Sequence, residues 1–341
     1  MTKRKCKWEV DDESLRSRDY KTPADVQALV VAAMHVSADE AQQLQHIDQH
    51  DPLSGEANPA WLAARKPAGL NRVTGSTVSH CIHGRHVDAA GKSDASNRPE
   101  LQATRMIRDN FIGCAATEWG NRNEDLCRDV VMGFLARKLR QDDDDVANVA
   151  CEELGIVLRT DLLPLCGYSP DGVVRITYHS GRPERRVLLE LKCPWSKRKD
   201  PYQEGVSKYA GYYFDHDPDR PLIPIKEEYM DQVQLGMKML ELSETFFGVW
   251  TPFQTQIFSI QAQPEYVSSF MVPRIEAFYW NIYIPTYVCM NYCCEADALA
   301  MRKKNIDVTS KVFQAAMNAF HQALRARAAA AADVSRLEEA G

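Results

Sequence analysis

Three charged residues in the middle of the chain have the types and spacing for chemistry at a metal ion. They are Asp171 in SPDG, and Glu190 and Lys192 in LLELKCP. The stretch RRVLLELKC reads as a strand, in which alternate side chains share a face. Glu190 and Lys192 then point one way, and Leu189 and Leu191 point the other way into a helix layer. Charged groups on an otherwise apolar strand are costly unless something uses them. Asp171 sits in a turn that enters the preceding strand, within reach of Glu190 across a hairpin. Two carboxylates meeting this way make a hard oxygen site suited to Mg2+, with Mn2+ as a substitute, and the Leu191 carbonyl adds a further oxygen. The carboxylates favour the ammonium form of Lys192, which can orient or activate an attacking water. Phosphodiester hydrolysis needs such a set, because phosphate and hydroxide are both anionic and a divalent ion neutralises one while acidifying the water that yields the other.

The elements around these residues follow from pattern. With 341 residues and 45% hydrophobic content, the chain can bury a sizeable core. Residues 1–60 are polar with helical stretches, and DVQALVVAAMHV, apolar all round, reads as a packed helix. DPLSGEANP, with Pro52 and Pro59, breaks it before Trp61. Residues 84–100 read as a loop. A long helix is expected over about 117–140, with Leu126, Val130, Phe134 and Leu135 as its apolar stripe. The acidic run Asp142 to Asp145 ends it as a solvated loop, since four consecutive residues cannot all face one ion. Residues 155–192 read as successive short strands with a hairpin at SGRPE. Residues 225–242 return to helix, FFGVWTPFQTQIFSIQ reads as two strands about a Pro turn, and PEYVSSFMVPRIEAFYWNIY is helical with a Pro interruption. The last forty residues are Ala-rich and charged, and are read as a helix. The fold class expected is α/β (α+β), a mixed central sheet flanked by helices.

Asp171, Glu190 and Lys192 alone are equally readable as a turn aspartate and an exposed strand pair. Set among other segments in chain order, the pattern resembles the PD-(D/E)XK nuclease signature, and more closely the lambda-exonuclease or YqaJ-type branch that includes viral alkaline exonucleases. WLAAR followed by RVTGS resembles that family's W-x-x-x-R … (I/V)-T-(A/G)-S segment, whose arginine and serine grip a 5′-phosphate. Arg65 and Ser76 match by position, although KPAGLN intervenes and Arg72 is an alternative to Arg65. The chemistry is apt, since a guanidinium fork matches phosphate oxygens and a helix start adds N–H donors. EWGNRNED resembles the family's WG-x-x-x-E helix, with Glu124 as the matching metal-binding acid. KCPWS matches the run after the lysine, so Cys193 is read as a packed strand-end thiol. YMDQVQLGM matches a Y-M-x-Q-V-Q helix, in which Gln232 reaches the active site with Tyr229 one turn before it. Ser169 of SPDG is a supporting residue on the same ground.

The resemblance covers roughly residues 60 to 280. It implies a restriction-endonuclease-like nuclease domain at 59–290, with helical extensions at 1–58 and 291–341. It also implies an Mg2+-dependent 5′→3′ exonuclease on linear double-stranded DNA, acting in recombination, repair or viral DNA processing. Relatives act on DNA ends, form rings such as trimers, and work with a single-strand annealing protein. An endonuclease or DNA/RNA nuclease of the same fold stays open, as does a catalytically silent DNA-binding module of a recombination complex.

Other motifs carry less. His80, Cys81, His83 and His86 in SHCIHGRH suggest zinc, but no paired second half lies nearby. Cys289, Cys293 and Cys294 suggest an iron–sulfur cluster, but adjacent cysteines are awkward ligands and a fourth is not evident. FYWNIY reads as core packing rather than a base-stacking platform. The ten cysteines are irregularly spaced and there is no apolar leader, so reduced thiols in cytoplasm or nucleus are expected, without secretion. KRKCK near the start reads as a solvated tail more than a nuclear address. No apolar run nears the ~20 residues of a membrane helix. A net charge of −6 excludes a global basic field, so DNA contact must be a local patch.

Overall fold

The computed structural model describes residues 36–50, 56–67, 70–83, 99–108, 114–159, 163, 166–199, 227–252, 254–284 and 286–287. Most of the helix expected at 25–36, the KRKCK run, nearly all of the loop at 84–100, His86, Cys289, Cys293, Cys294 and the segment after 290 lie outside these residues. Helices α1 (Ala38–Gln45), α2 (Pro59–Arg65), α3 (Gly75–Ile82), α4 (Pro99–Arg108) and the long α5 (Ala115–Asp142) precede the sheet. The strands are β1 (Val146–Glu152), β2 (Gly172–Tyr178), β3 (Arg185–Lys192), β4 (Glu244–Thr251) and β5 (Gln254–Gln261). Helix α6 (Glu227–Leu240) lies between β3 and β4. After β5, helix α7 (264–283) passes through two π-helical turns, Val267–Met271 and Tyr279–Tyr283.

The five strands stand in chain order, and all neighbours are antiparallel except β3 and β4. A parallel pair requires a crossover, and α6 lies in it. The mixed sheet flanked by helices is the fold class that the sequence pattern predicts. Strand alternation divides the core into two layers. Val174, Ile176, Leu189, Leu191 and Phe246 face α5. Val173, Leu188, Phe247 and Phe258 face the layer of α3, α6 and α7. Phe278, Tyr279 and Tyr283 of the FYWNIY run are buried in that second layer, as packing residues.

Three expectations need correction. The apolar stripe of α5 holds at Leu135, which is buried, and at Phe134, which packs on the core, but its first half is one residue out of phase: Leu126 and Val130 are 50% and 39% exposed. The buried row is Cys127, Val131, Leu135 and Leu139, at a strict i+4 spacing. Cys127 is a small hydrophobe in this setting, and the larger Leu126 and Val130 masked the true phase. Val131 also needs Gly248 opposite it, where a Cβ would lie 2.9 Å from Val131 Cγ2. Second, the first strand among the described residues is β1, which was unforeseen, while the described residues of 155–168 contribute the isolated bridges Val157–Tyr168 and Val73–Cys166 and no strand. VANVACE has few large apolar residues because it lies at the sheet edge. Third, the acidic run is more than a solvated loop. Asp143 pairs with Arg182 of the β2–β3 turn, and Asp145 accepts bonds from Ser180 N (2.7 Å) and Ser180 Oγ (2.6 Å).

The phase correction predicts two different mutational costs. Val131→Ala removes two buried methyl groups and should destabilise the fold by about 2–3 kcal/mol in chemical denaturation. The neighbouring Val130→Ala should stay within about 0.5 kcal/mol.

Candidate active site

The β2–β3 register builds the centre of the site. Gly172 pairs with Leu189, so one residue further on Asp171 stands opposite Glu190. Asp171 Oδ2 accepts a hydrogen bond from Leu191 N at 2.6 Å, which fixes the turn against the strand. Glu190 is 1% exposed. Its Oε1 accepts from Lys192 Nζ (2.5 Å) and Gln232 Nε2 (2.5 Å), and its Oε2 accepts from the Tyr168 hydroxyl (2.7 Å). Lys192 thus shares a face with Glu190, and α6 delivers Gln232 to the same carboxylate. The Tyr229 ring lies 5.6 Å from Lys192 Nζ and packs on Phe247.

Burial dominates the electrostatics, and the neighbouring charges act on top of it. Burial, and then the Glu190 carboxylate, push Asp171 well above the usual carboxylate range, with Lys192 opposing them. Burial works against the Lys192 ammonium, but Glu190 and Asp171 outweigh it and hold the lysine above its ordinary value. Burial also raises Glu124, although Arg128 counters it through a 3.0 Å ion pair. Arg128 Nε further donates to the Asp171 carbonyl at 3.3 Å. Glu124 therefore stands at the rim, where its charge still acts on Asp171 and Glu190.

The donor set fits a hard divalent cation. The buried Glu190 and the half-buried Asp171 face each other with one ammonium bonded to Glu190, so the site is short of positive charge. All the nearby ligand atoms are oxygens, which suits Mg2+ or Mn2+. Among the described residues no group of three or more His, Cys, Asp or Glu side chains is gathered that could hold a metal ion. Asp171 and Glu190 would leave the remaining positions to the Leu191 carbonyl and to water, which is the habit of Mg2+. In SHCIHGRH, Cys81 is buried in the core and His83 Nε2 is bonded to Asp231 at 2.9 Å. Cys193 Sγ donates to the Asn123 carbonyl at 3.7 Å and packs against the α5 layer.

The segment expected to hold phosphate is tied to the same turn. Trp61 Nε1 donates to Ser169 Oγ at 2.9 Å, so α2 is anchored on SPDG. Arg65 stacks 4.3 Å over the Trp61 ring. Arg72 is 4% exposed and its Nε donates to the Ala64 carbonyl at 2.9 Å. Ser76 is exposed in the first turn of α3, whose N-cap is Thr74 in a capping box with Thr77. That helix start adjoins the carboxylates: a Cβ on Gly75 would lie 3.0 Å from Gln232 Cγ. The two sequence segments, nearly a hundred residues apart, thus share one corner of the fold.

Sequence reasoning missed Tyr168, Arg128 and Gln49. Gln49 Nε2 bonds the Leu154 and Pro170 carbonyls, both at 2.9 Å, and so braces SPDG from the N-terminal side. Arg128 was discoverable, because it lies four residues after Glu124 on a helix, the spacing of an ion pair. Tyr168 gave no comparable signal; only its place two residues before the SPDG proline hints at it.

Three solved structures are similar to the chain. An alkaline exonuclease from Laribacter hongkongensis, LHK-Exo, has 18% identity and a TM-score of 0.41, over 72% of this chain and 97% of that one. The same enzyme in complex with dAMP gives 19% identity and a TM-score of 0.40, with the same coverage. A phage-related exonuclease from Haemophilus somnus 129PT gives 12% identity and a TM-score of 0.31, over 68% and 96% of the two chains. No family model and no curated protein matches the sequence. Among the described residues no helix is long and apolar enough to cross a membrane.

The two candidate arginines should separate in stability. Arg72→Ala leaves the buried Ala64 carbonyl without that donor and should cost about 2–3 kcal/mol in chemical denaturation. Arg65→Ala, at a half-exposed position stacked on Trp61, should cost less than Arg72→Ala, about 1 kcal/mol.

Proposed function

We propose that the chain is a divalent-metal-dependent nuclease that degrades linear double-stranded DNA from its ends in the 5′→3′ direction. The observation that carries this reading is the facing of Asp171 and Glu190 with Lys192 on the same strand face. A bound Mg2+ would neutralise phosphate charge and acidify the attacking water. Asp171, Glu190 and the Leu191 carbonyl would hold the ion, with Glu124 acting from the rim. Lys192 orients the water and stabilises charge on the phosphate. Gln232 holds the Glu190 carboxylate, and Tyr229 confines the lysine. Arg65 and Ser76 take the terminal 5′-phosphate, with Arg72 as the support beneath them. A phosphate grip beside the cutting position favours ends, because only an end offers a phosphate monoester.

The test compares linear duplexes carrying 5′-phosphate or 5′-hydroxyl with closed circles, with Mg2+ and with EDTA. The reading expects Mg2+-dependent digestion of the 5′-phosphorylated duplex, slower digestion of the hydroxyl form, and spared circles. Glu190→Ala and Lys192→Ala should each lower the rate by roughly 10²–10³-fold while folding and DNA binding persist. Efficient cutting of circles would favour an endonuclease. DNA binding without cleavage under any metal would favour a silent binding module. A fully active Lys192→Ala would contradict the mechanism.

A further inference from the structure

The three donors to Glu190 differ in how tightly they are packed. Lys192 is 23% exposed at its side chain, and Gln232 is half-buried; both reach Oε1 from the open side. Tyr168 is fully buried and reaches Oε2 from beneath. Its backbone is fixed by two hydrogen bonds to Val157, at 2.7 and 3.0 Å. Its ring is wedged between two helices at positions that lack side chains. A Cβ on Gly75 of α3 would lie 2.7 Å from Tyr168 Cε2, and one on Gly236 of α6 would lie 2.3 Å from Cζ and 2.6 Å from the hydroxyl. Both glycines therefore serve the approach of this ring. Lys192 and Gln232 are partly exposed and would have to swing aside for a cation at Oε1, whereas the Tyr168 ring is held from both helices.

We propose that Tyr168 is a positioning residue of the carboxylate site: its hydroxyl ties back Glu190 Oε2 and presents Oε1 alone to the divalent cation. This rests on the metal-dependent reading above. A carboxylate held by one oxygen keeps one orientation and binds through the other oxygen. The phenol is also a neutral donor, so it supports the buried Glu190 charge without placing a positive group against an incoming dication. Lys192 supplies that charge only from the open side. Outer-shell donors of this kind commonly alter metal affinity by 10–100-fold when removed.

The experiment is a Mn2+ titration, followed by electron paramagnetic resonance, on wild type, Glu190→Gln and Tyr168→Phe. Melting curves confirm that each variant is folded. Wild type should show a saturable site that Glu190→Gln abolishes, and Tyr168→Phe should weaken that site by about tenfold or more. At saturating Mn2+ Tyr168→Phe should regain most of the wild-type kcat, a split that general destabilisation would not give. Should Tyr168→Phe fail to fold, Gly236→Ala displaces the same hydroxyl from the helix side and should weaken Mn2+ binding likewise. A wild-type Mn2+ affinity retained within twofold in the folded variant overturns the proposal and leaves the metal reading intact. A wild type with no Glu190-dependent Mn2+ site overturns both.

Discussion

Two carboxylates face each other across a hairpin, one residue beyond the last paired position of β2 and β3. Like charges brought together in a buried place repel, and the same burial removes the water that would screen them. Burial first, and then that repulsion from Glu190, raise the Asp171 pKa. Much of the surrounding structure reads as a set of positive or donor groups that keep the pair together: Lys192, Gln232 and Tyr168 on Glu190, and the Leu191 amide on Asp171. A divalent ion would complete this compensation.

The scaffold makes the arrangement stiff from several directions. Register in the hairpin cannot slip by one residue without turning Leu188, Glu190 and Lys192 to the α5 face and Leu189 and Leu191 away from it. The tight turn at Gly181 and the clasp of Asp143 and Asp145 on the Ser180–Arg182 loop hold the far end of the hairpin. Trp61 and Gln49 brace the SPDG turn, and Arg128 holds the Asp171 carbonyl while it neutralises Glu124. The close packing of α3 on α6 brings the exposed Ser76 to the same corner as the carboxylates. The start of α3 and the facing carboxylates are thereby neighbours, the arrangement on which the proposed phosphate and metal roles rest.

The centre of this site was legible in the sequence for a physical reason. Strand alternation is a period of two, and it alone puts Glu190 and Lys192 on one face and Leu189 and Leu191 on the other. The hairpin, α6, β4 and β5 were equally readable from period and turn chemistry. The stripe of α5 was not, because hydrophobicity ranks Leu126 and Val130 above Cys127, and only packing reveals that the cysteine is inside. An edge strand poor in large apolar residues, β1, left no period to detect. Tyr168 and Gln49 act through contacts 22 and 121 residues away, and local sequence carries no trace of such partners. The burial that separates Arg72 from Arg65 is likewise a property of the folded chain.

A crystal of the protein soaked in Mn2+ and measured for anomalous scattering addresses the core of this account most directly. The account predicts a single strong peak in contact with oxygens of both Asp171 and Glu190, with Lys192 beside it. A metal-free pair with Mn2+ bound elsewhere, or Asp171 and Glu190 turned away from each other, would contradict it.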